Sequence, residues 1–219
     1  MGSVLFYARA IDDLLLPSCN ALSCCQSAPT EDTMVAVDRL LGYAAKFPNA
    51  HLDFYPSDML LRIESDASFL SRPKSGSVVG GFHYLGRHDP AFRNAPIICI
   101  SSLIPVIVAA VSEAEYAGVF GNAQVGVDSR SILKSLGYPQ PPTPILCDNE
   151  CAVGLSNKTI RPQMSKSIDM RLNWIQDRVK QRQFDVIHVK GVDNLADYFT
   201  KSLPLDRHLA LQPFYVSYH

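Results

Sequence analysis

Four acidic residues stand where the surrounding sequence gives a carboxylate something to do. Asp66 closes a strand-like run in Ile63-Glu64-Ser65-Asp66-Ala67-Ser68, and Asp148 closes another in Ile145-Leu146-Cys147-Asp148-Asn149. Glu115 lies in the first turn of a long helical stretch, Ser112-Glu113-Ala114-Glu115-Tyr116, and Asp197 lies in Asn194-Leu195-Ala196-Asp197-Tyr198. In an open α/β sheet, ligands gather at strand ends, where Asp66 and Asp148 are expected. Clustered carboxylates repel one another and resist ionisation. Divalent cations remove the conflict, and hard oxygen donors select Mg2+, with Mn2+ as a substitute. Two such ions about 3.5–4 Å apart clamp the attacking water and the leaving oxygen of a phosphodiester. Each acid taken singly also has an ordinary structural explanation. Asp148 could cap the next helix, Glu115 could be a first-turn acid favoured by the helix dipole, and Asp197 could be an exposed helix residue.

The elements that must position these acids follow from patterning. Leu60–Ser65 reads as a strand with Asp66 at its end, Arg72–Gly76 as a turn, and Ser77–Leu85 and Ile97–Ser101 as two further strands. A helix is expected from Ser112 to Leu136, a strand over Pro144–Cys147 and a strand over Phe184–Val189. Lys166–Gln181 carries the cleanest helical stripe, Ile168, Leu172, Ile175 and Val179. Asp193 is expected to cap a last helix over Asn194–Lys201, ended by Pro204. Before these, Thr30 caps a helix opened by Glu31 and Asp32 and stopped by Pro48. A shorter helix is expected within Val4–Leu16, and Ser18–Ala28 reads as a loop or weak helix. Strands joined by short turns pair antiparallel, and strands reached through helices run parallel to a neighbour. An α/β fold with a mixed sheet covered by helices follows.

Composition narrows the functional classes. With 47% apolar and 19% charged residues in 219, the chain has material for a packed core and is not dominated by disorder. The net charge of −1 excludes bulk-charge binding of nucleic acid and leaves room for a local basic face. Between Arg161 and Arg182, six basic residues (Arg161, Lys166, Arg171, Arg178, Lys180, Arg182) oppose Asp169 and Asp177, and this run reads either as a phosphate-neutralising surface or as a solvated helix face. Cysteines at 19, 24, 25, 99, 147 and 151 form no CxxC pair, which argues against a zinc site or a disulfide scaffold. Cys147 and Cys151 read as core thiols, His188 as a strand residue and Trp174 as core packing. Arg9, Asp12 and Asp13 interrupt any signal core, Phe6 stands where a myristoylation signal wants Ser or Thr, and the apolar stretch Ile97–Val111 is shorter than a bilayer demands. A soluble intracellular protein without membrane contact is expected.

At these residues the chain resembles the ribonuclease H domain of copia-type retrotransposon polyproteins. Five blocks carry the resemblance in the family's order: Glu64-Ser65-Asp66-Ala67-Ser68 followed by Lys74-Ser75-Gly76; Ser112-Glu113-Ala114-Glu115-Tyr116; Pro144-Ile145-Leu146-Cys147-Asp148-Asn149; Lys166-Ser167-Ile168-Asp169-Met170-Arg171; and Leu195-Ala196-Asp197-Tyr198-Phe199-Thr200-Lys201. The resemblance implies a ribonuclease H-like fold, with a five-stranded sheet of three antiparallel and two parallel strands. It implies residues 1–58 as a helical segment like that between reverse transcriptase and ribonuclease H, 59–205 as the ribonuclease H-like domain, and 206–219 as a tail. Asp66, Glu115, Asp148 and Asp197 match the family's catalytic, metal-binding acids, with Glu115 preferred to Glu113, and two Mg2+ ions are the implied cofactors. The implied activity is cleavage of the RNA strand of an RNA–DNA hybrid, leaving 5′-phosphate and 3′-hydroxyl ends. Lys74, Asn149, Lys166, Arg171, Arg178 and Lys180 are the expected hybrid contacts, and a reverse transcriptase portion of the same polyprotein is the expected partner. The expected location is the cytoplasm, with virus-like particles, or the nucleus.

The chain departs from the family in places. Leu103-Ile104-Pro105-Val106-Ile107-Val108 is apolar where relatives carry lysines, and Ser167 stands where they often carry His. A non-catalytic binding or scaffolding module that kept the fold is therefore the alternative. A strand-transfer enzyme of the same superfold is disfavoured by the order of the acids and by the lack of a preceding His/Cys zinc segment.

Overall fold

The computed structural model describes residues 2–160 and 166–218, with side chains described outside 166–169. Arg161 and the side chain of Lys166 therefore lie outside the described residues. Helices α1 (Gly2–Ala10), α2 (Leu16–Ser23) and α3 (Glu31–Lys46) lead into a short strand β1 (Ala50–His51). The strands β2 (Leu60–Arg72), β3 (Gly76–Gly86) and β4 (Pro96–Leu103) form the expected antiparallel run, and helix α4 (Val111–Ser135) follows. Then come β5 (Thr143–Cys147), α5 (Glu150–Ser156), α6 (Lys166–Lys180) and β6 (Phe184–His188). A 3-10 turn (Leu195–Phe199), α7 (Leu205–Leu211) and β7 (Ser217–Tyr218) complete the described chain. No described helix is long and apolar enough to cross a membrane.

The main sheet has the order β4-β3-β2-β5-β6. β2 pairs antiparallel with β3, β3 antiparallel with β4, and β2-β5-β6 run parallel. This is the five-stranded mixed sheet of a ribonuclease H-like fold. One face buries Leu61 and Ile63 of β2 and Ile145 of β5 against Tyr116, Val119 and Ala123 of α4 and Leu172 and Ile175 of α6. The opposite face carries Phe82 and Tyr84 of β3, which pack against Ala8, Leu14, Leu15 and Cys19 of the N-terminal segment and against Tyr198, Phe199 and Tyr215. Full burial of each large side chain stabilises the fold by about 1.5–3 kcal/mol, so both layers contribute to holding the sheet. The last residues return to the start: Ala50 pairs with Tyr218 and His51 with Ser217.

Three expectations about local structure need correction. Asp66 is not at a strand end. β2 continues to Arg72 because its antiparallel partner β3 follows it through Ser68↔Val78 and Arg72↔Gly76, and because both faces of Ile63–Ser68 are covered. The last helix is a five-residue 3-10 turn, and its cap is Asn194, whose side chain accepts the Ala196 N–H, rather than Asp193. A helix does lie over the first part of Val4–Leu16, ending at Ala10, and α2 begins at Leu16 and runs into the first part of Ser18–Ala28, the stretch read as loop or weak helix. Cys151 is exposed in the first turn of α5, whereas Cys147 is a buried core thiol. The Thr30 cap is present as a reciprocal pair with Thr33, and Trp174 packs edge-on against Phe120 on the core side of α6.

Candidate active site

The pocket is built at the point where two parallel strands meet a helix and a turn. Ile63↔Ile145 and Glu64↔Leu146 set the register of β2 on β5. The same offset carried two residues further sets Asp66 beside Asp148, which immediately follows β5. Side chains alternate along a strand, so Glu64 and Asp66 share the face covered by the 3-10 turn, while Ser65 faces α4. Two adjacent glycines of β3 let both layers come close. A Cβ on Gly80 would sit 2.6 Å from the Ala196 carbonyl oxygen, and one on Gly81 would sit 1.9 Å from Asn122 Oδ1.

Asn122 ties α4 to the sheet. Its amide donates to Ser65 Oγ at 3.0 Å, Gly80 O at 2.9 Å and Gly118 O at 3.0 Å, and its Oδ1 lies 2.8 Å from Nε2 of the buried His83. That anchor sets the height of Glu115, two turns earlier on the same helix. Ligand atoms of Glu115, Cys147 and Asp148 all lie within 4.8 Å of one another. Glu113 instead accepts the Ala109 N–H at 2.7 Å, outside the pocket. On the opposite side, Glu64 accepts the Leu195 N–H at 2.7 Å, and the Asn194 amide donates to Ser65 O at 2.9 Å. These two bonds fasten the turn that carries Asp197 onto β2. Thr200 donates its hydroxyl to Asp66 Oδ2, and Lys201 forms a close ion pair with Asp197 Oδ1 and lies 3.7 Å from Asp66 Oδ2.

The electrostatics agree with one shared pocket. Burial pushes the Asp66 carboxyl up to about 6; Thr200 and Lys201 oppose the rise, and Asp197 and Asp148 add to it. Burial, then Asp66 and Asp148, push Glu115 up to about 9, against Lys201 and the Ala67 N–H. Burial works against the charge of Lys201, but Asp197, Asp66 and Asp148 outweigh it and raise its pKa. Asp66 is fully buried and Glu115 nearly so, yet Asp66 Oδ1 and Glu115 Oε2 have no hydrogen-bond partner among the described residues. Buried carboxylate oxygens left in this state are costly unless a cation takes them. Hard oxygen donors of this number fit Mg2+ or Mn2+. All four acids singled out from the sequence thus reach one pocket.

The expected hybrid contacts fare less uniformly. Lys74 is exposed at the tip of the β2–β3 hairpin, and Lys180 is exposed at the end of α6. Arg171 and Arg178 are half-buried, with their guanidinium groups over Phe120 and Trp174 at 5.7 and 5.0 Å, rather than on the helix face opposite the apolar stripe. Asn149 caps α5 by accepting the Ala152 N–H at 2.9 Å. His188 ends β6 with Nε2 3.2 Å from the Asp148 carbonyl oxygen. Sequence reasoning gave no role to Glu64, Asn194, Thr200, Lys201 or Gly191, where an added Cβ would lie 2.9 Å from Asp148 Oδ2. The signals were there: Thr200 and Lys201 lie inside a matched block, and Glu64 is an acid inside an apolar run.

No protein-family model matches the chain. Retrovirus-related Pol polyproteins from the Arabidopsis thaliana transposons RE1 and RE2 are each 30% identical to it, over 93% and 98% of its length. A third, from transposon TNT 1-94 of Nicotiana tabacum, is 25% identical over 82%. The chain spans only 13–14% of the length of these polyproteins. Among solved structures, LC11-RNase H1, isolated from compost by a metagenomic approach, is 14% identical and covers 65% of this chain and 93% of its own, with a TM-score of 0.48. An N-terminal RNase H domain from Mycobacterium tuberculosis is 16% identical and covers 71% and 97%, with a TM-score of 0.47. The polyprotein alignments run through all four pocket elements, and the chain is a homologue of the copia-type Pol polyproteins of plant transposons.

Proposed function

We propose that the chain is the ribonuclease H part of such a polyprotein, a divalent-metal-dependent endonuclease that cuts the RNA strand of RNA–DNA hybrids. The observation that carries this reading is the convergence of Asp66, Glu115, Asp148 and Asp197 from four separate elements, with a buried oxygen on each of Asp66 and Glu115 that has no hydrogen-bond partner among the described residues. Asp66, Glu115, Asp148 and Asp197 would hold two Mg2+ or Mn2+ ions. When bound, such ions supply an activated water and stabilise the leaving 3′-oxygen in line with it. The chain's own part is positional. Thr200 and the Ala67 N–H fix one side of the Asp66 and Glu115 carboxylates, and the Glu64 and Asn194 bonds keep Asp197 at the mouth.

Of the expected contacts, Lys74 and Lys180 are exposed and would meet phosphates, with Asn149 next to Asp148 in the chain. Contacts of that kind position a duplex without reading its sequence, and A-form-like hybrids are recognised by shape and 2′-hydroxyls. A reverse transcriptase portion of the same polyprotein would supply further grip. One observation favours the non-catalytic alternative: Val106 and Ile107 are exposed in the apolar loop before α4, where relatives of the resembled family carry lysines. A labelled RNA–DNA hybrid incubated with the parent and with Asp148→Asn decides between them. The expected result is cutting by the parent only with Mg2+ or Mn2+, reduced at least about 100-fold in the variant, as for loss of an essential electrostatic group. Hybrid binding with no product under either ion would replace the nuclease with the binding module.

A further inference from the structure

We infer that Lys201 is a resident counter-cation of the acidic pocket, competing with divalent metal for Asp197 and Asp66 and thereby setting the affinity of the site. The inference rests on the reading that this pocket binds metal. Four carboxylates that face one another need positive charge in either state of the site, and among the described residues a single ammonium stands beside them. Nζ of Lys201 is in close contact with Asp197 Oδ1 and lies 3.7 Å from Asp66 Oδ2, and its charge acts on Glu115 and Asp148 as well. No other Lys or Arg among the described residues forms an ion pair with any of the four acids; Arg93 pairs with Glu64 instead.

Two features make this cation displaceable. The Lys201 side chain is 46% exposed, so its stem has open solvent on one side. An ammonium is a point charge with three rotatable donors and no fixed fork, so leaving the carboxylates breaks no rigid geometry. By contrast, the Thr200 hydroxyl on Asp66 is buried and fixed from the same turn. A dication that takes Asp197 Oδ1 and the Asp66 carboxylate as ligands would lie close to the ammonium that now stands against them, and like charges at about 4 Å repel even near a surface. Metal binding therefore includes the free energy of expelling Lys201. The lysine offsets part of the negative charge of the metal-free pocket and makes metal occupancy weaker than the four acids alone would give.

The test is Mn2+ binding, followed by the loss of the free-ion electron paramagnetic resonance signal, on the full chain at fixed pH and ionic strength. The parent, Lys201→Met, Lys201→Arg and Asp148→Asn are compared, with thermal melts in EDTA and in Mn2+ alongside. Lys201→Met is expected to bind Mn2+ about tenfold more tightly than the parent, the order expected for removing one half-exposed like charge. Lys201→Arg, which keeps the charge, is expected to stay near the parent. In EDTA, Lys201→Met is expected to melt below the parent, and Mn2+ is expected to reverse that order. Equal or weaker Mn2+ binding by Lys201→Met overturns the counter-cation role while leaving the metal pocket in place. No Mn2+ binding sensitive to Asp148→Asn in any of the proteins overturns the metal reading and this inference together.

Discussion

Replacing Arg93 by Met strands a buried charge that fastens the Asp197 turn, and the consequence should depend on pH. Glu64 is fully buried, accepts the Leu195 N–H at 2.7 Å and faces Arg93 Nε at 2.8 Å. Burial raises its carboxyl above the usual range, and Arg93 and the Leu195 N–H pull it part of the way back. Met keeps most of the apolar stem and removes the cation. Breaking a buried ion pair from one side costs roughly 3–5 kcal/mol, and because Arg93 is 24% exposed, water should hold the loss near the lower end. A loss of about 3 kcal/mol is equivalent to moving the Glu64 titration up by about two pH units, at roughly 1.4 kcal/mol each. The folded-state pKa of Glu64 is already above its unfolded value of 4.5, so its contribution is intact below that value and is lost as pH rises toward the folded pKa. Without Arg93 the folded pKa rises further. The deficit of the variant should then be small near pH 4.5, grow as pH rises past the parent's folded Glu64 pKa, and level off only once Glu64 of the variant is ionised as well. Urea unfolding of parent and Arg93→Met at about pH 5 and about pH 8 measures it, and Mn2+ affinity at about pH 8 should fall with it. An equal loss at both pH values would refute the stranded-charge reasoning and point to lost packing alone.

Two further outcomes follow from the same geometry. Gly81→Ala would drive a methyl group into Asn122 Oδ1, 1.9 Å away from the ideal Cβ. It should cost about 2–4 kcal/mol by urea unfolding, combining overpacking with disruption of the buried His83–Asn122 bond, and weaken metal binding by shifting α4; a change within about 0.5 kcal/mol would show that α4 is held elsewhere. In EDTA the fold should lose stability as pH rises, because Asp66 and Glu115 have folded-state values of about 6 and about 9, above their ordinary 3.8 and 4.5. Their contribution is intact below about pH 4 and falls across that window. Saturating Mg2+ should favour the ionised forms, so the gap between melts with and without Mg2+ should widen from about pH 5 to pH 9. A gap independent of pH would contradict the shared pocket.

What the sequence made legible was local. The apolar run before Asp148, the stripe of α6 and the Thr30 cap are written in neighbouring residues; the structure keeps the run and the cap, buries Leu172 and Ile175 of the stripe and half-buries Val179, while the side chain of Ile168 lies outside the described residues. The order of strands and helices limited the sheet to a few topologies. The position of Asp66 within β2 was not legible from its own neighbours, because it depends on how far β3 continues to pair beyond Ser68. The turn at Asp197 reads as helix by composition; it is a five-residue 3-10 turn docked through the Leu195 N–H onto Glu64, more than a hundred residues away, a contact that neighbouring residues do not announce. The packing of α1, α2 and the C-terminal residues onto Phe82 and Tyr84 is equally non-local.

One signal could have exposed that tertiary arrangement. Adjacent glycines inside a strand weaken it, through lost packing and backbone entropy, and they persist where something approaches closely. Gly80 and Gly81 point to opposite faces, so the pair requires a close neighbour on each side of the sheet. The structure supplies Ala196 and Thr200 on one face and Asn122 on the other. Those contacts bring the Asp197 turn and the Glu115 helix down onto Asp66, so the two residues with no side chain set the depth at which the acids meet.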